Sequence, residues 1–295
     1  MEAIILCAGE GRRLRPMTLH RAKPLVPVLC TPILGHILES LEANGIFRAA
    51  ANVWYRKEDL LAYGETLAEI PVRFSLVPEK RLLGTGGGIA NVAAKLNPSG
   101  PVLVHNGDIY TNADLSAAIR EHRLSGALLT LLVREGNPEV TTVRDEVVDI
   151  ANRLGTQGEC TQKFSGISVW EPDAFKYLPQ PGEPGDAIDA IVSILKDRPG
   201  SIRTYDIGNA LWSDIGTPNE YLELHRKLIG NQVHLSEGIA LPMGVQIEGF
   251  LCTCSGSKIG AGCRLKDVVV WPESEIAPGS QLERAIVGPF GVSRV

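Results

Sequence analysis

A glycine turn carrying arginine follows the first apolar run of the chain: Leu6-Cys7-Ala8-Gly9-Glu10-Gly11-Arg12-Arg13-Leu14-Arg15-Pro16, with Lys23-Pro24-Leu25-Val26-Pro27-Val28 close behind. Small residues at the carboxyl end of a buried strand let backbone N–H groups approach phosphate oxygens closely. Arg12, Arg13, Arg15 and Lys23 would then face one polyanion. A solvated loop would also expose arginines, but here they sit inside the turn, and Lys23 stands between Ala22, Pro24 and Leu25 rather than in a charge run. A dinucleotide-binding loop fits poorly, because Gly9 and Gly11 supply G-x-G while Leu14 takes the third glycine position. No G-x-x-x-x-G-K-[ST] occurs, so a Walker loop is excluded.

Two aspartates could hold the cation that accompanies such a polyanion. Val102-Leu103-Val104-His105-Asn106-Gly107-Asp108 reads as a buried strand that delivers Asp108 to its carboxyl edge, where α/β proteins bind ligands. Leu211-Trp212-Ser213-Asp214-Ile215-Gly216-Thr217-Pro218 sets Asp214 just ahead of a proline-started helix. Either alone could be a turn residue. Next to a phosphate loop the two make a Mg²⁺ pair, since nucleotide-bound Mg²⁺ uses one or two carboxylates with phosphate oxygens and water. Gly84-Thr85-Gly86-Gly87-Gly88 opens another helical pattern. Ordering each of those glycines costs about 0.5–1 kcal/mol relative to alanine. Close approach of backbone to a base or ribose would justify that cost, and a flexible linker is the competing reading. Glu79, upstream of it, could accept hydrogen bonds from guanine N1–H and N2–H₂ or be a surface glutamate; the residues alone leave both open.

These residues need a frame. The chain has 295 residues, 44% hydrophobic and 21% charged, with a net charge of −5. That length allows a large domain plus a smaller one, and the acidic balance argues against a nucleic-acid partner. No charged leader precedes the opening strand and no apolar run reaches membrane-spanning length, so a cytoplasmic protein without a membrane partner is expected. The six cysteines show no CxxC pair, and Cys252 and Cys254 lack spaced zinc partners; they read as reduced structural thiols.

Short apolar runs alternate with helical patterns from residue 1 to about 230, the rhythm of an α/β sheet. Strands are expected at Glu2–Cys7, Phe47–Trp54, Val72–Val77, Pro101–His105, Ala127–Val133 and Phe164–Trp170. Thr31 and Pro32 read as the cap and first position of a helix stopped by Gly45. Further helices are expected near Glu58–Ala68, Gly88–Leu96, Leu115–Arg123, Ala187–Lys196 and Pro218–Ile229, with Pro179–Gly185 as a surface loop. After residue 231 the period changes. Ile259, Leu265, Val270, Ile276, Leu282 and Val287 recur at steps of five or six, so that Ile259 aligns with Ile276, Leu265 with Leu282 and Val270 with Val287. Such hexapeptide spacing suits a short parallel β-helix, whose apolar residues stack coil upon coil.

Taken together, these blocks resemble the sugar-1-phosphate nucleotidyltransferase family, whose usual form is L-A-G-G-x-G-T-R-L-R-P followed by P-K-P-L-V-P. Asn106-Gly107-Asp108, Phe164-Ser165-Gly166-Ile167 and Trp212-Ser213-Asp214-Ile215-Gly216-Thr217-Pro218 follow in the family's order. The resemblance implies a Rossmann-like mixed-sheet α/β catalytic domain over 1–230 and a left-handed parallel β-helix tail over 231–295, through which a homo-oligomer could form. It implies an enzyme that takes an NTP and a sugar 1-phosphate, with Mg²⁺ as cofactor, and gives an NDP-sugar and pyrophosphate. Arg13 and Lys23 would be its catalytic cations and Asp108 and Asp214 its metal ligands. Ala8, Gly9, Gly11, Arg12, Glu79, Gly84, Thr85, Gly86 and Asn106 would bind the nucleotide, and Gly166 and Arg153 the sugar phosphate.

The match has departures. Ala8 replaces a glycine, Arg12 a threonine and Ala22 a proline. The family's Glu-Lys-Pro motif is missing; Arg153 lies at about its separation, whereas Lys163 is too close to Gly166 to be its equivalent. The Phe-Ser-Gly-Ile and Thr-Gly-Gly-Gly forms are similar to N-acetylmuramate-1-phosphate uridylyltransferases, and the tail to mannose-1-phosphate guanylyltransferases. An acetyl-CoA-dependent acyltransferase is set aside, because His234 is the tail's only histidine and precedes the clear repeats; a non-catalytic NDP-sugar-binding subunit stays as the alternative from another class, which loss of Arg13, Lys23 or either aspartate would favour, and all are present.

Overall fold

Ala3, Ile4 and Ile5 are fully buried in strand Glu2–Leu6, because parallel neighbours flank it on both sides. The computed structural model describes residues 1–67 and 71–295, and the chain divides into two units. Met1–Gly9 and Ile37–Trp212 form the first; Glu10–His36 and Ser213–Val295 form the second.

The first unit holds a nine-stranded sheet in the order Arg73–Pro78, Arg48–Val53, Glu2–Leu6, Val102–Asn106, Cys160–Trp170, Leu129–Arg134, Ile202–Asp206, Glu146–Ile150, Val140–Val143. Its first four strands are parallel, and Cys160–Trp170 runs antiparallel to both of its central neighbours. This is a mixed α/β architecture, and the carboxyl ends of the parallel strands share one edge. Ile4, Val92, Val104, Leu131, Trp170 and Ile194 anchor its core. Each buried side chain of this size contributes roughly 1.5–3 kcal/mol relative to exposure.

Three elements differ from expectation. Val140–Val143 and Glu146–Ile150 form a hairpin whose turn residues, Arg144 (φ 49°) and Asp145 (φ 67°), are both left-handed. Such turns favour Asn-Gly, so Arg-Asp gave no signal. Strand Ile202–Asp206 was also unforeseen. Thr31–Pro32 is not a helix cap but a short strand paired with Pro27–Val28, and the helix begins at Ile33. The helix expected over Glu58–Ala68 spans Lys57–Thr66, and Ala68 lies outside the described residues. Among the described residues no helix is long and apolar enough to cross a membrane.

In the second unit, strands Gln246–Thr253, Arg264–Val270 and Gln281–Gly288 pair in parallel. Leu265 pairs with Leu282, Val270 with Val287 and Ile259 with Ile276. Leu251, Leu265, Val268, Ile276 and Val287 form their common core. The cysteine expectation needs correction. Cys30 and Cys254 form a disulfide with a Cα–Cα distance of 5.1 Å across 224 residues, a pairing that sequence spacing could not reveal.

The same unit ties the hairpin over residues 27–32 to helix Pro218–Ile229. The Tyr221 hydroxyl donates to Pro27 O at 2.5 Å and accepts from Trp271 Nε1 at 3.0 Å. His225 Nδ1–H donates to Tyr221 O at 2.9 Å, while its Nε2 accepts from Leu29 N at 3.2 Å, which assigns a neutral ring. Burial pushes His225 down to about 4, and does the same to His105 in the first unit. The unfolded chain protonates both histidines from about 6.5, whereas the fold refuses the protons until about 4. Stability is therefore complete above pH 6.5 and is lost as pH falls toward 4, with a slope approaching about 1.4 kcal/mol per pH unit for each histidine. Urea unfolding across that range measures it; a flat profile would remove both histidines from the account.

Candidate active site

In the first unit, the end of strand Glu2–Leu6 is fixed by Asn52. Cys7 N donates to Asn52 Oδ1 at 2.9 Å, and Asn52 Nδ2 donates to Glu79 Oε1 at 2.8 Å. Leu83 N donates to the other Glu79 oxygen at 3.2 Å. Burial raises the Glu79 carboxyl above the usual range, against the lowering effect of those two hydrogen bonds. The sequence leaves Glu79 open between a base contact and a surface glutamate. Instead its acceptors are already used by the chain's own donors, so it positions Asn52 and thereby Cys7. Ala8 is buried, while a Cβ on Gly9 would meet nothing within 4 Å. Gly9 therefore leaves open space beside the strand end.

The glycines of helix Gly84–Leu96 have an internal explanation. Gly86 N and Gly87 N donate to Gly185 O at 2.9 and 3.2 Å. A Cβ on Gly86 would stand 2.7 Å from the Asp186 carbonyl carbon, and one on Gly87 2.4 Å from Glu183 O. Thr85 Oγ1 donates to Asp186 Oδ1 at 3.0 Å and accepts from Ala187 N at 2.9 Å. The close approach that sequence assigned to a base or ribose is thus made by residues 183–187, with Gly84, Thr85 and Gly86 at the contact. Gly88 makes room for Asn52, whose Nδ2 would lie 2.6 Å from an added Cβ.

Asp108 follows strand Val102–Asn106 through Gly107. A side chain at Gly107 would strike Cys7 Sγ and Leu6 O, each at 2.7 Å, so the turn lies tight on the end of the first strand. Burial first, and the Asp108 charge second, push the Cys7 thiol far above its ordinary value. The thiol therefore stays neutral and is no nucleophile. Asn106 faces Gly166, which has φ +80°; a Cβ there would stand 2.7 Å from Asn106 Nδ2.

Of two further cations, the sequence sets Lys163 aside on spacing and does not single out Arg134. Arg134 and Lys163, register partners, lie over the Trp212 ring at 4.6 and 4.9 Å. The Trp212 indole N–H donates 2.8 Å to Ser165 O, one residue before Gly166. Arg153 instead pairs at the surface with Asp189 of helix Ala187–Asp197 at 2.7 Å. Their strand register across Cys160–Trp170 could not be read from spacing alone.

The second unit carries the arginine turn. Gly11 is left-handed, at φ +61°, and a Cβ there would stand 2.8 Å from Thr18 Cγ2 and 3.2 Å from Lys23 Cβ. The Thr18 hydroxyl closes the turn by donating to Gly11 O at 2.9 Å. Lys23 is buried, 8% exposed. Arg12 is exposed and pairs with Glu10 at 2.6 Å. Arg13 points to the loop of the later aspartate: a Cβ on Gly216 would stand 3.0 Å from Arg13 Nη2, 2.8 Å from Glu220 Oε2 and 3.2 Å from Asp214 O. Glu220 is itself fastened by the Thr217 hydroxyl at 2.9 Å. Arg13 and the Asp214–Gly216 loop, some 200 residues apart in sequence, thus lie side by side.

Comparison with known proteins places the chain among relatives. Residues 2–141 match the nucleotidyl transferase family model. The chain is 30% identical to a mannose-1-phosphate guanylyltransferase of Mycobacterium tuberculosis, over 96% of this chain and 83% of that protein. It is also 30% identical to the bifunctional protein GlmU of Methanococcus vannielii, over 78% of this chain and 56% of that one. Its fold is similar to the crystal structure of a putative glucose-1-phosphate thymidylyltransferase from Bacillus anthracis, with a TM-score of 0.67 at 18% identity, covering 77% and 94% of the two chains.

Proposed function

The chain belongs to the sugar-1-phosphate nucleotidyltransferases, and within that enzyme family we propose that it transfers GMP from GTP to mannose 1-phosphate or a related hexose phosphate, releasing pyrophosphate. The observation that carries this choice is the extent of the mycobacterial similarity, which runs through 96% of the chain, tail included. A UTP-dependent reading, on a hexose or N-acetylmuramate 1-phosphate, is favoured by Phe164-Ser165-Gly166-Ile167 and by Thr85-Gly86-Gly87-Gly88. A non-catalytic NDP-sugar-binding subunit is the contrasting proposal from another class.

In this proposal the sugar phosphate attacks the α-phosphorus in line, and the protein's work is alignment and charge stabilisation. Backbone groups from Ala8 to Gly11, with Arg12, receive the triphosphate. Arg13 holds the departing pyrophosphate and Lys23 stands behind the turn. Gly166 and Asn106 receive the sugar phosphate, with Arg153 or the Arg134–Lys163 pair supplying its countercharge. Asp108 and Asp214 would hold Mg²⁺; both offer only carboxylate oxygens, the donor set a hard cation prefers. Bound there, Mg²⁺ supplies Lewis-acid neutralisation of phosphate charge. Residues 231–295 are assigned as a left-handed parallel β-helix tail suited to self-association, supported by the 17-residue offset between paired strands. A cytoplasmic location is part of the same proposal.

Pyrophosphate release, measured with Mg²⁺ against a panel of NTPs and sugar 1-phosphates, tests the reading. GTP with mannose 1-phosphate should give the highest kcat/KM; a clear preference for UTP moves the assignment to the second reading, and no turnover with any pair favours the third. Gly166→Ala is expected to raise KM for the sugar phosphate by about tenfold or more, because the new methyl must displace Asn106. Its positive φ adds a stability cost of roughly 1 kcal/mol. Steady-state kinetics beside a thermal melt separate the two effects; an unchanged KM removes Gly166 from the sugar site.

A further inference from the structure

Cys30, Cys252 and His234 converge at a place the proposed reaction does not use. Their ligand atoms all lie within 4.8 Å of one another, and Cys254 Sγ is joined to Cys30 Sγ. All four belong to the second unit. His234 and Cys252 are register partners on the parallel strands Val233–Leu235 and Gln246–Thr253, so their side chains stand side by side on one face. Cys254, two residues on, continues that face.

The pattern is confined to the first coil. Cys252 pairs with Val269, and Val269 with Ile286, so the same column turns apolar in the next two coils. Cys30 reaches the column from the tip of the hairpin between Pro27–Val28 and Thr31–Pro32. Its turn residues, Leu29 (φ 45°) and Cys30 (φ 73°), adopt the left-handed conformation that Asn-Gly would favour. A strained turn that presents a sulfur to two further ligands is the kind of outlier that marks a site. The Ser236 hydroxyl, 3.5 Å from Cys30 Sγ, supplies an outer hydrogen bond of the sort that orients metal ligands.

We propose that the reduced protein binds one Zn²⁺ through Cys30, Cys252, Cys254 and His234, and that this state and the Cys30–Cys254 disulfide exclude one another. Three thiolates and an imidazole form a tetrahedral set selective for zinc. Ligand atoms in such a site are ~3.5–3.8 Å apart; those of Cys30, Cys252 and His234 already lie within 4.8 Å of one another, and Cys254 joins them once its bond to Cys30 is reduced. A disulfide alone would need two sulfurs and leaves Cys252 and His234 unexplained. For the exchange, an external dithiol gives two electrons and two protons to the disulfide and becomes a cyclic disulfide itself. Zn²⁺ then displaces three thiol protons to solvent, and His234 binds as the neutral ring. The ion clamps the hairpin, whose Cys30 lies seven residues beyond Lys23, to the strands of the tail.

The test uses the full chain, reduced with dithiothreitol, desalted anaerobically, loaded with Zn²⁺ or Co²⁺ and gel-filtered. Metal analysis should find about one zinc per chain, and Co²⁺ should give the intense visible bands and sulfur-to-cobalt charge transfer of a tetrahedral thiolate site. Cys252→Ser and His234→Ala should each lower zinc affinity by about tenfold or more, while Cys160→Ser, at an exposed free cysteine, keeps wild-type loading. Should a variant misfold, the wild-type cobalt spectrum decides alone. Failure of the reduced protein to retain zinc, an octahedral cobalt spectrum, equal loading of Cys252→Ser, or equal loading of the disulfide form would each overturn the proposal.

Discussion

Arg13→Ala is expected to lower kcat by about 10²–10³-fold while changing folding stability by no more than about 0.5 kcal/mol. The asymmetry follows from where the side chain stands. Arg13 is exposed, so its removal opens no cavity. Its guanidinium nevertheless meets the Asp214–Gly216 loop, where even one added carbon on Gly216 would come within 3.0 Å of Nη2. A fixed cation that meets charge only as pyrophosphate departs lowers the barrier without tightening ground-state binding, so kcat should fall more than KM rises. Gly216→Ala provides a second route to the same group: it keeps Arg13 but pushes it, and should cost about tenfold. Steady-state kinetics and a urea midpoint on both variants are sufficient. Wild-type kcat in Arg13→Ala would end the role; equal losses of stability and activity would make the residue structural.

Arg13 was visible in the sequence because its signal is local: glycine, arginine and a preceding apolar strand fall within a dozen residues. The tail was legible for a similar reason. In its last two coils the register partners are offset by 17 positions, so Leu265 and Leu282 announce each other. What sequence hid were partners brought in from elsewhere. Glycines over Gly84–Gly88 signal that some backbone approaches closely, but not whose; it is the chain's own residues 183–187. Glu79 stayed open between two readings because its partner Asn52 stands 27 residues away in sequence. Lys163 and Arg134 meet at Trp212 only through an antiparallel register that is shifted between Phe164 and Ser168. Cys30 and Cys254, 224 residues apart, lie beyond any spacing rule. Local chemistry was readable, and long-range packing set the identity of its supports.

Asp108→Asn and Asp214→Asn are each expected to reduce turnover by about 10³-fold at saturating Mg²⁺, since an amide keeps the size of the carboxylate but not its charge, and several kcal/mol of charge stabilisation goes with the ion. Both aspartates are only partly buried, so the fold should tolerate the exchange. Two separate sites, each with its own cation, would make the losses multiply in the double variant to about 10⁶-fold. A single shared ion predicts otherwise: once either ligand is gone the ion is lost, and removing the second costs little more, because residues that act as a unit are grossly non-additive. Pyrophosphate release from the two single variants and the double variant, each titrated with Mg²⁺, distinguishes these cases. A double variant no worse than the poorer single one supports one cation held from two distant parts of the chain. Multiplying losses would assign the aspartates to independent tasks, and full activity in either single variant would remove it from the metal.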